Sequence, residues 1–277
     1  MTMNDKSTST HPPDTWASGD AYEPYVGRWS RVVAREFLRW LAIAPGSHWL
    51  DVGCGTGALS QTILREAAPD RVKGIDRSGG FIAHAQQQAQ DERVSFEVGD
   101  AQALPEDRAR YDAAVSGLVL NFVPQPDHAV AEMARMVKPG GCVAAYVWDY
   151  ASKMQLMRHF WNAATALDPN ALNLDEGRRF PVCQPAPLIG LFRSAGLKNV
   201  EVRPIDIATD FKDFDDYWLP FLGGQGSAPS YAMSLSEEKR AALRERIRAG
   251  LPFAVDSSIP LVARAWAVRG ARQRDSR

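Results

Sequence analysis

Cysteine is scarce: Cys54, Cys142 and Cys183 are the only three in 277 residues, an odd number at wide spacing. That leaves neither a disulfide framework nor the paired-thiol spacing of a zinc site, and it fits a reducing, cytoplasmic setting. Neither sign of charge is in surplus, with 32 Lys and Arg against 33 Asp and Glu. No basic footprint for nucleic acid or for an anionic membrane surface is expected. No apolar run approaches a membrane span, and the N-terminus lacks the charged-then-apolar succession of a secretory signal. Internal repeats and low-complexity tracts are missing too. What is present is an apolar fraction of 45%, enough for one large domain carrying a smaller cap. Residues 1–13 are polar and read as a mobile tail, and 271–277 as a C-terminal tail. Between them, 14–270 reads as a single domain with N-terminal helices over 14–44 and insertions at about 150–183 and 211–260 forming a cap.

The chain is organised around Trp49-Leu50-Asp51-Val52-Gly53-Cys54-Gly55-Thr56-Gly57, an apolar run ending in an acid and followed by three glycines at alternate positions. His48 to Val52 predicts a short buried strand, and Leu59, Ile63, Leu64 and Ala67 one face of the helix that follows. Arg71 to Ile75 predicts a second strand ending at Asp76. Ser78 then caps a helix with Phe81, Ile82, Ala85 and Ala89 inward, and Arg93 to Val98 forms a third strand ending at Gly99-Asp100. Tyr111 to Ser116 and Cys142 to Trp148 supply strands four and five, with a helix opened by Pro126 and a Lys138-Pro139-Gly140-Gly141 turn between them. Strands alternating with helices call for a parallel, doubly wound α/β sheet whose carboxyl strand ends share one edge.

Ahead of this unit, Tyr22, Tyr25, Arg28 and Trp29 precede a helix capped by Ser30 with Val33, Phe37, Leu38 and Leu41 inward. The aromatics either pack that helix on the body or, with Tyr25 and Arg28 as polar hands, reach toward a bound carboxylate. After Tyr150 a helix carries Met154, Leu156, Met157 and Trp161, and another carries Leu188, Leu191 and Phe192 and ends at Gly196. Asn199 to Val202 is a sixth strand and Leu261 to Val268 a last one. Between these two strands, Phe211, Phe214, Trp218 and Leu222 share one helical face. Leu243, Ile247 and Leu251 share another, on a helix capped near Ser234 or Ser236. This segment reads as a lid, with Gly223-Gly224-Gln225-Gly226 a hinge or turn rather than a phosphate loop, since no Lys-Ser/Thr follows.

A glycine turn between strand and helix lets a ligand approach the backbone and aims free helix N–H groups at it. Gly53, Gly55 and Ala58 satisfy the relaxed dinucleotide pattern, with Asp76 near where a ribose-binding acid belongs. Asp51 argues against a dinucleotide, because a carboxylate beside a pyrophosphate is electrostatically costly, whereas a cationic ligand group would be welcomed there.

Leu-Asp-Val-Gly-Cys-Gly-Thr-Gly resembles the first motif of the class I S-adenosylmethionine-dependent methyltransferases, in the small-molecule branch known as methyltransferase type 11. Gly74-Ile75-Asp76, Gly99-Asp100-Ala101, Tyr111-Asp112 through Phe122, and Val137-Lys138-Pro139-Gly140-Gly141 resemble that family's later motifs in order, over about residues 48 to 148. The resemblance implies a Rossmann-like seven-strand sheet with an antiparallel last strand. It implies S-adenosyl-L-methionine as cofactor, with S-adenosyl-L-homocysteine as product. Asp51, Gly53 and Gly55 would hold the methionine end, joined by backbone groups of Ser116 and Gly117 and by Tyr25 and Arg28. Asp76 would take both ribose hydroxyls, and Asp100 and the Ala101 N–H the adenine, with Arg77 either laid on the adenine face or solvated.

The same resemblance implies methyl transfer to a small acceptor by in-line displacement. The acceptor is expected to be apolar or aromatic, from Trp161, Phe180, Phe211, Tyr217, Trp218 and Phe221 in the cap. Neither an Asn/Asp-Pro-Pro-Tyr motif nor a Pro-Cys pair is present, so neither nucleic-acid subclass is supported. A base is needed only for a protonated nucleophile. Asp149, at the end of strand five, and His159, in the acceptor wall, are candidates, and His128 reads as a surface residue. Asp210, Asp213, Asp215 and Asp216 read as the wet side of a helix, not as metal ligands. A nicotinamide-dependent oxidoreductase and a non-catalytic cofactor-binding protein remain as rival readings.

Overall fold

The computed structural model describes residues 23–105, 109–223 and 226–274. The 1–13 tail, Tyr22, the hinge residues Gly224 and Gln225, and the end of the C-terminal tail at 275–277 lie outside the described residues. Seven strands form one sheet: β1 (His48–Val52), β2 (Arg71–Asp76), β3 (Val94–Val98), β4 (Tyr111–Gly117), β5 (Val137–Trp148), β6 (Lys198–Ala208) and β7 (Val262–Ala271). Their order is β3-β2-β1-β4-β5-β7-β6. Strands β1 to β5 pair in parallel, while β7 runs antiparallel to both β5 and β6. The Rossmann-like sheet with an antiparallel last strand is therefore as expected.

Burial explains the placement. Trp49 to Val52 are all buried and β1 is central, as an unbroken apolar run requires when both faces of a parallel sheet are covered. Strand β6 is an edge and extends well past the expected end at Val202, through Pro204 and Asp206 to Ala208. A proline without an N–H is tolerated where one side of the strand has no neighbour. Strand β5 begins five residues before Cys142, but its register against β4 jumps from Tyr111–Val137 to Ala113–Cys142. The Lys138–Gly141 turn is thus a loop set into the strand, with Gly140 at φ +82°.

Helices α1 (Arg28–Leu41), α2 (Ala58–Glu66), α3 (Gly79–Gln88), α4 (Pro126–Met136), α5 (Gln155–Leu167) and α6 (Pro185–Ser194) flank the sheet. In α1, Val33, Phe37, Leu38 and Leu41 are buried as expected, and the Phe37 ring lies 4.7 Å from Tyr146 of β5. Its N-terminus is a correction: the helix already runs at Arg28, so Ser30 is not its cap, and the Ser30 hydroxyl donates to the Val26 carbonyl one turn back. Ser78 does cap α3, accepting from the Phe81 N–H at 3.3 Å. Of the four residues expected inward on α3, Ile82 and Ala85 are buried, and Phe81 and Ala89 only half so.

The segment between β6 and β7 holds α7 (Phe214–Trp218), a 3-10 turn over Leu219–Gly223, α8 (Ser227–Ser234) and α9 (Glu237–Gly250), the last capped by Ser236. Because α7 is only five residues long, the face expected to carry Leu222 does not continue. Leu222 is 37% exposed, and Phe221 takes its inward place in the tighter turn. Phe221 stacks on Phe160 of α5 at 4.6 Å, and the Tyr217 hydroxyl donates to the Leu156 carbonyl. Buried aromatic rings of this size dominate local packing. Phe160→Ala is expected to cost about 3–5 kcal/mol, read as a fall in denaturation midpoint.

Candidate active site

The glycine turn is held from below by β2. Gly53 and Cys54 donate their N–H groups to the Ile75 carbonyl, at 2.7 and 3.0 Å. Gly53, Gly55 and Gly57 all have positive φ, +75°, +54° and +92°, a region that side chains rarely enter. Two of these glycines are packed. A Cβ on Gly53 would sit 2.9 Å from the Val119 Cβ and closer still to a methyl, and one on Gly57 would press on the Phe96 ring. Gly55 differs, since a Cβ there would meet nothing within 4 Å. Its backbone is open to a ligand.

Asp51 is fully buried. The Ser60 hydroxyl, on α2, donates to its Oδ2 at 2.7 Å, and Oδ1 has no partner among the described residues. Burial away from water pushes its carboxyl up to about 7 from the ordinary 3.8, against the lowering effect of Ser60, and nearby Asp76 adds to the rise. An unpartnered buried carboxylate oxygen carries a desolvation cost of about 1–3 kcal/mol, which an N–H-bearing cation would offset.

Asp76 accepts the Gly55 N–H at Oδ2 (3.0 Å) and the Ser78 N–H at Oδ1 (2.8 Å). It therefore braces the glycine turn, and each oxygen keeps a lone pair for a further donor. Asp100 is exposed at the end of β3. Hydrogen bonds from the Gln102 backbone and amide hold its carboxyl below the usual range, and Arg77 contributes its charge. Arg77 is itself exposed, and Ala101 is half-buried. Ser116 is buried with an unpartnered hydroxyl, and a Cβ on Gly117 would strike the Tyr146 hydroxyl.

Beyond Gly117 the chain turns sharply. Leu118 has φ +63° and donates to the Tyr146 carbonyl at 2.8 Å. Such a conformation in a branched residue stores strain, which clusters at functional sites. Asn121 follows, and among the described residues neither the donor nor the acceptor end of its amide has a partner. Phe122 packs edge-on against Phe180 at 5.2 Å, and Phe180 lies 5.7 Å from Tyr150, just after β5. The unpartnered buried groups of Asp51, Ser116, Asn121, Asp149 and Thr209 thus all sit at or just past the carboxyl ends of β1, β4, β5 and β6. These ends share one edge of the sheet, where such folds place their ligands. Asn121 and Leu118 escaped the sequence reading. The left-handed residue carries no glycine or asparagine to mark it, and the amide stands in an otherwise apolar run.

The base candidates separate. Asp149 is buried, its Oδ2 accepting the Lys153 N–H at 3.3 Å and its Oδ1 unpartnered among the described residues. His159 is half-buried, and burial lowers its pKa. His128 is exposed beside Asp127, 4.0 Å away. Tyr25 is buried against Phe221. Arg28 lies with its guanidinium carbon 4.7 Å from both the Trp29 and the Phe211 ring centres and donates to Asp216 at 2.8 Å, while its Nε and Nη2 have no partner among the described residues. The acids around α7 divide their labour. Asp213 caps the helix, Asp215 lies 3.5 Å from Arg244, and Asp216 holds Arg28. Most of the cap aromatics taken as an acceptor wall, namely Trp161, Phe211, Tyr217, Trp218 and Phe221, are buried against one another and form the cap's own core. Phe180 alone among them is half-buried.

Residues 50–141 match the family model of a methyltransferase domain. The demethylmenaquinone methyltransferase of Bacillus cytotoxicus is 34% identical over 188 residues, 61% of this chain and 78% of that protein. The chain belongs to the class I S-adenosylmethionine-dependent methyltransferases. Membership decides against a nicotinamide oxidoreductase. The ubiquinone biosynthesis O-methyltransferase of Coxiella burnetii is 34% identical over 111 residues, 39% of this methyltransferase and 47% of that enzyme, so the match spans about half of that relative. Haemonchus contortus phosphoethanolamine N-methyltransferase 2, solved with S-adenosyl-L-methionine, shares the fold. It has TM-score 0.58 and 17% identity, covering 92% of this methyltransferase and 56% of that chain. No helix among the described residues of this methyltransferase is long and apolar enough to cross a membrane.

Proposed function

We propose that this methyltransferase binds S-adenosyl-L-methionine on the Gly53–Gly57 turn and methylates a small, planar, largely apolar acceptor. The observation that carries the reading is Asp51, a fully buried carboxylate with one oxygen unpartnered beside an open glycine backbone. The residues fit the cofactor's three parts. Asp51, with the backbone carbonyls of Gly53 and Gly55, offers acceptors to the ammonium of the amino acid end, since the N–H groups of both glycines are already bonded within the turn, and Arg28 keeps two donors for the carboxylate. Asp76 offers free lone pairs to vicinal hydroxyls, and Asp100 with the Ala101 N–H suits the adenine. When bound, the cofactor supplies a methyl group already activated by a sulfonium, so the protein's task is alignment. The 211–260 insertion, anchored by Phe221 on Phe160, leaves the sheet at the carboxyl end of β6 and rejoins it at the amino end of β7, the edge where β5 also ends, which suits a cap over the acceptor.

The relatives named for quinone pathways support an acceptor of this class. Where the acceptor arrives protonated, we assign the proton to Asp149, whose buried carboxyl at the end of β5 supports that role. The test is calorimetry with S-adenosyl-L-homocysteine. Asp76→Ala should weaken binding about tenfold or more, from loss of charge-assisted bonds to two hydroxyls and of the brace on Gly55. Asp210→Ala, on an exposed acid just past β6, should leave it unchanged. Asp213 is not a suitable control, because it caps α7. Equal affinities for the two variants overturn the ribose assignment.

A further inference from the structure

The geometry points to Asn121 as the residue that positions the methyl acceptor, and to an acceptor that presents adjacent hydroxyl groups on a planar aromatic ring; this rests on the methyl-transfer reading above. A carboxamide offers a donor and an acceptor side by side in one plane. In Asn121 both ends are shielded from solvent and neither meets a partner among the described residues. Buried amides in folded proteins are almost always paired, so a group with both ends vacant calls for a ligand that fills both. Two neighbouring hydroxyls on a rigid ring do so, one donating to Oδ1 and the other accepting from Nδ2. A lone ether or a hydrocarbon cannot.

The surroundings select the ring. Phe122, next in the chain, and Phe180 are half-buried and meet edge to face, whereas the cap aromatics are buried among themselves. Tyr150 lies tilted against Phe180 as well, at 5.7 Å. Flat apolar faces of this kind take another aromatic ring in offset or edge-on packing. The position relative to the cofactor turn is fixed as well. Val119, two residues before Asn121, is the side chain that a Cβ on Gly53 would strike, so the β4–α4 turn lies directly on the glycine turn. Leu118, left-handed and bonded to Tyr146, holds that turn in place. In the chain Asn121 therefore stands between Val119, which packs on the cofactor turn, and Phe122, which meets the half-open face of Phe180, and this is the stretch that suits an acceptor oxygen.

The test uses the full chain saturated with S-adenosyl-L-homocysteine and two probes, a naphthalene carrying two adjacent hydroxyls and its dimethyl ether, with binding read by calorimetry. Wild type should prefer the diol. Asn121→Leu, which keeps the volume and removes both hydrogen-bonding ends, should lose about tenfold in diol affinity, the equivalent of one to two neutral hydrogen bonds. Its affinities for the ether and for S-adenosyl-L-homocysteine should not change. Phe180→Ala should weaken both probes alike. Asn121→Ser, with a smaller hydrogen-bonding group, should fall between wild type and Asn121→Leu and guards against a folding defect in the latter. Unchanged diol affinity in both Asn121 variants, or no binding of either probe to the loaded wild type, overturns the inference while leaving the methyl-transfer reading intact. Failure of S-adenosyl-L-homocysteine to bind wild type overturns both.

Discussion

Asp51→Asn protein is expected to be more stable than wild type at pH 8 and to bind S-adenosyl-L-homocysteine about a hundredfold more weakly. Both results follow from one buried carboxyl. In the unfolded chain Asp51 ionises near 3.8, and in the fold near 7. Between those values the folded protein holds a proton that the unfolded chain has released, so this group's contribution falls as pH rises from about 4 to about 7 and is flat above. At pH 8 the wild type carries an uncompensated buried charge. Asparagine keeps the Ser60 contact without it, and the midpoint of thermal unfolding should rise by several degrees, the difference shrinking below about pH 5.

Other groups do not blur this comparison. The depressed carboxyls of Asp100, Asp112 and Asp206 lose their stabilising contribution only as pH falls below the ordinary carboxylate range. His159, lowered by burial, acts in the opposite direction near neutrality but equally in both proteins. The binding loss is the charge-assisted pair with the ligand's ammonium, worth about 3 kcal/mol when desolvated. Wild-type affinity should itself drop about tenfold between pH 8 and pH 6, as Asp51 takes up its proton before the ligand can claim it. A flat profile, or an asparagine variant less stable at pH 8, defeats the assignment.

Gly53→Ala is expected to cost about 2–5 kcal/mol and to abolish cofactor binding. A side chain at φ +75° costs about 1–2 kcal/mol. The contact with Val119 adds about 1–3 kcal/mol of overpacking. Adding Val119→Ala should restore the second part and leave the first, which denaturant titration separates. A single variant as stable as wild type would mean that the turn does not hold this conformation. The corresponding change at Gly55, where a Cβ meets open space, should cost only the backbone part in stability and still block the ligand.

The parallel half of the fold was legible because its signals are local. Apolar runs bounded by turn residues marked β1 to β4, and Ser78 announced its own cap. The placement of Asp51, Asp76 and Asp100 was legible as well, since each stands at or just past a strand end and strand ends in such a sheet share an edge. The hidden parts are those assembled from distant segments. The contact between Arg28 and Asp216 spans 188 positions. Phe122, Tyr150 and Phe180 come from three different connections, and no periodicity links them. Strand β6 runs past its expected end at Val202 through Pro204 and Asp206, a composition that only an edge strand tolerates and that carries no local strand signal.

The antiparallel last strand has a consequence for assembly. Strand β6 touches the sheet only through β7, and the cap lies between the two in the chain. On a ribosome, β1 to β5 with their helices can pair as they emerge, but β6 has no place to dock until β7 has been made. Its polar, proline-bearing edge and the aromatic cap must wait together as a single late folding unit, since non-local pairing of this kind is slow. Truncation before Val262 should therefore unzip two strands and the cap at once while sparing the cofactor turn.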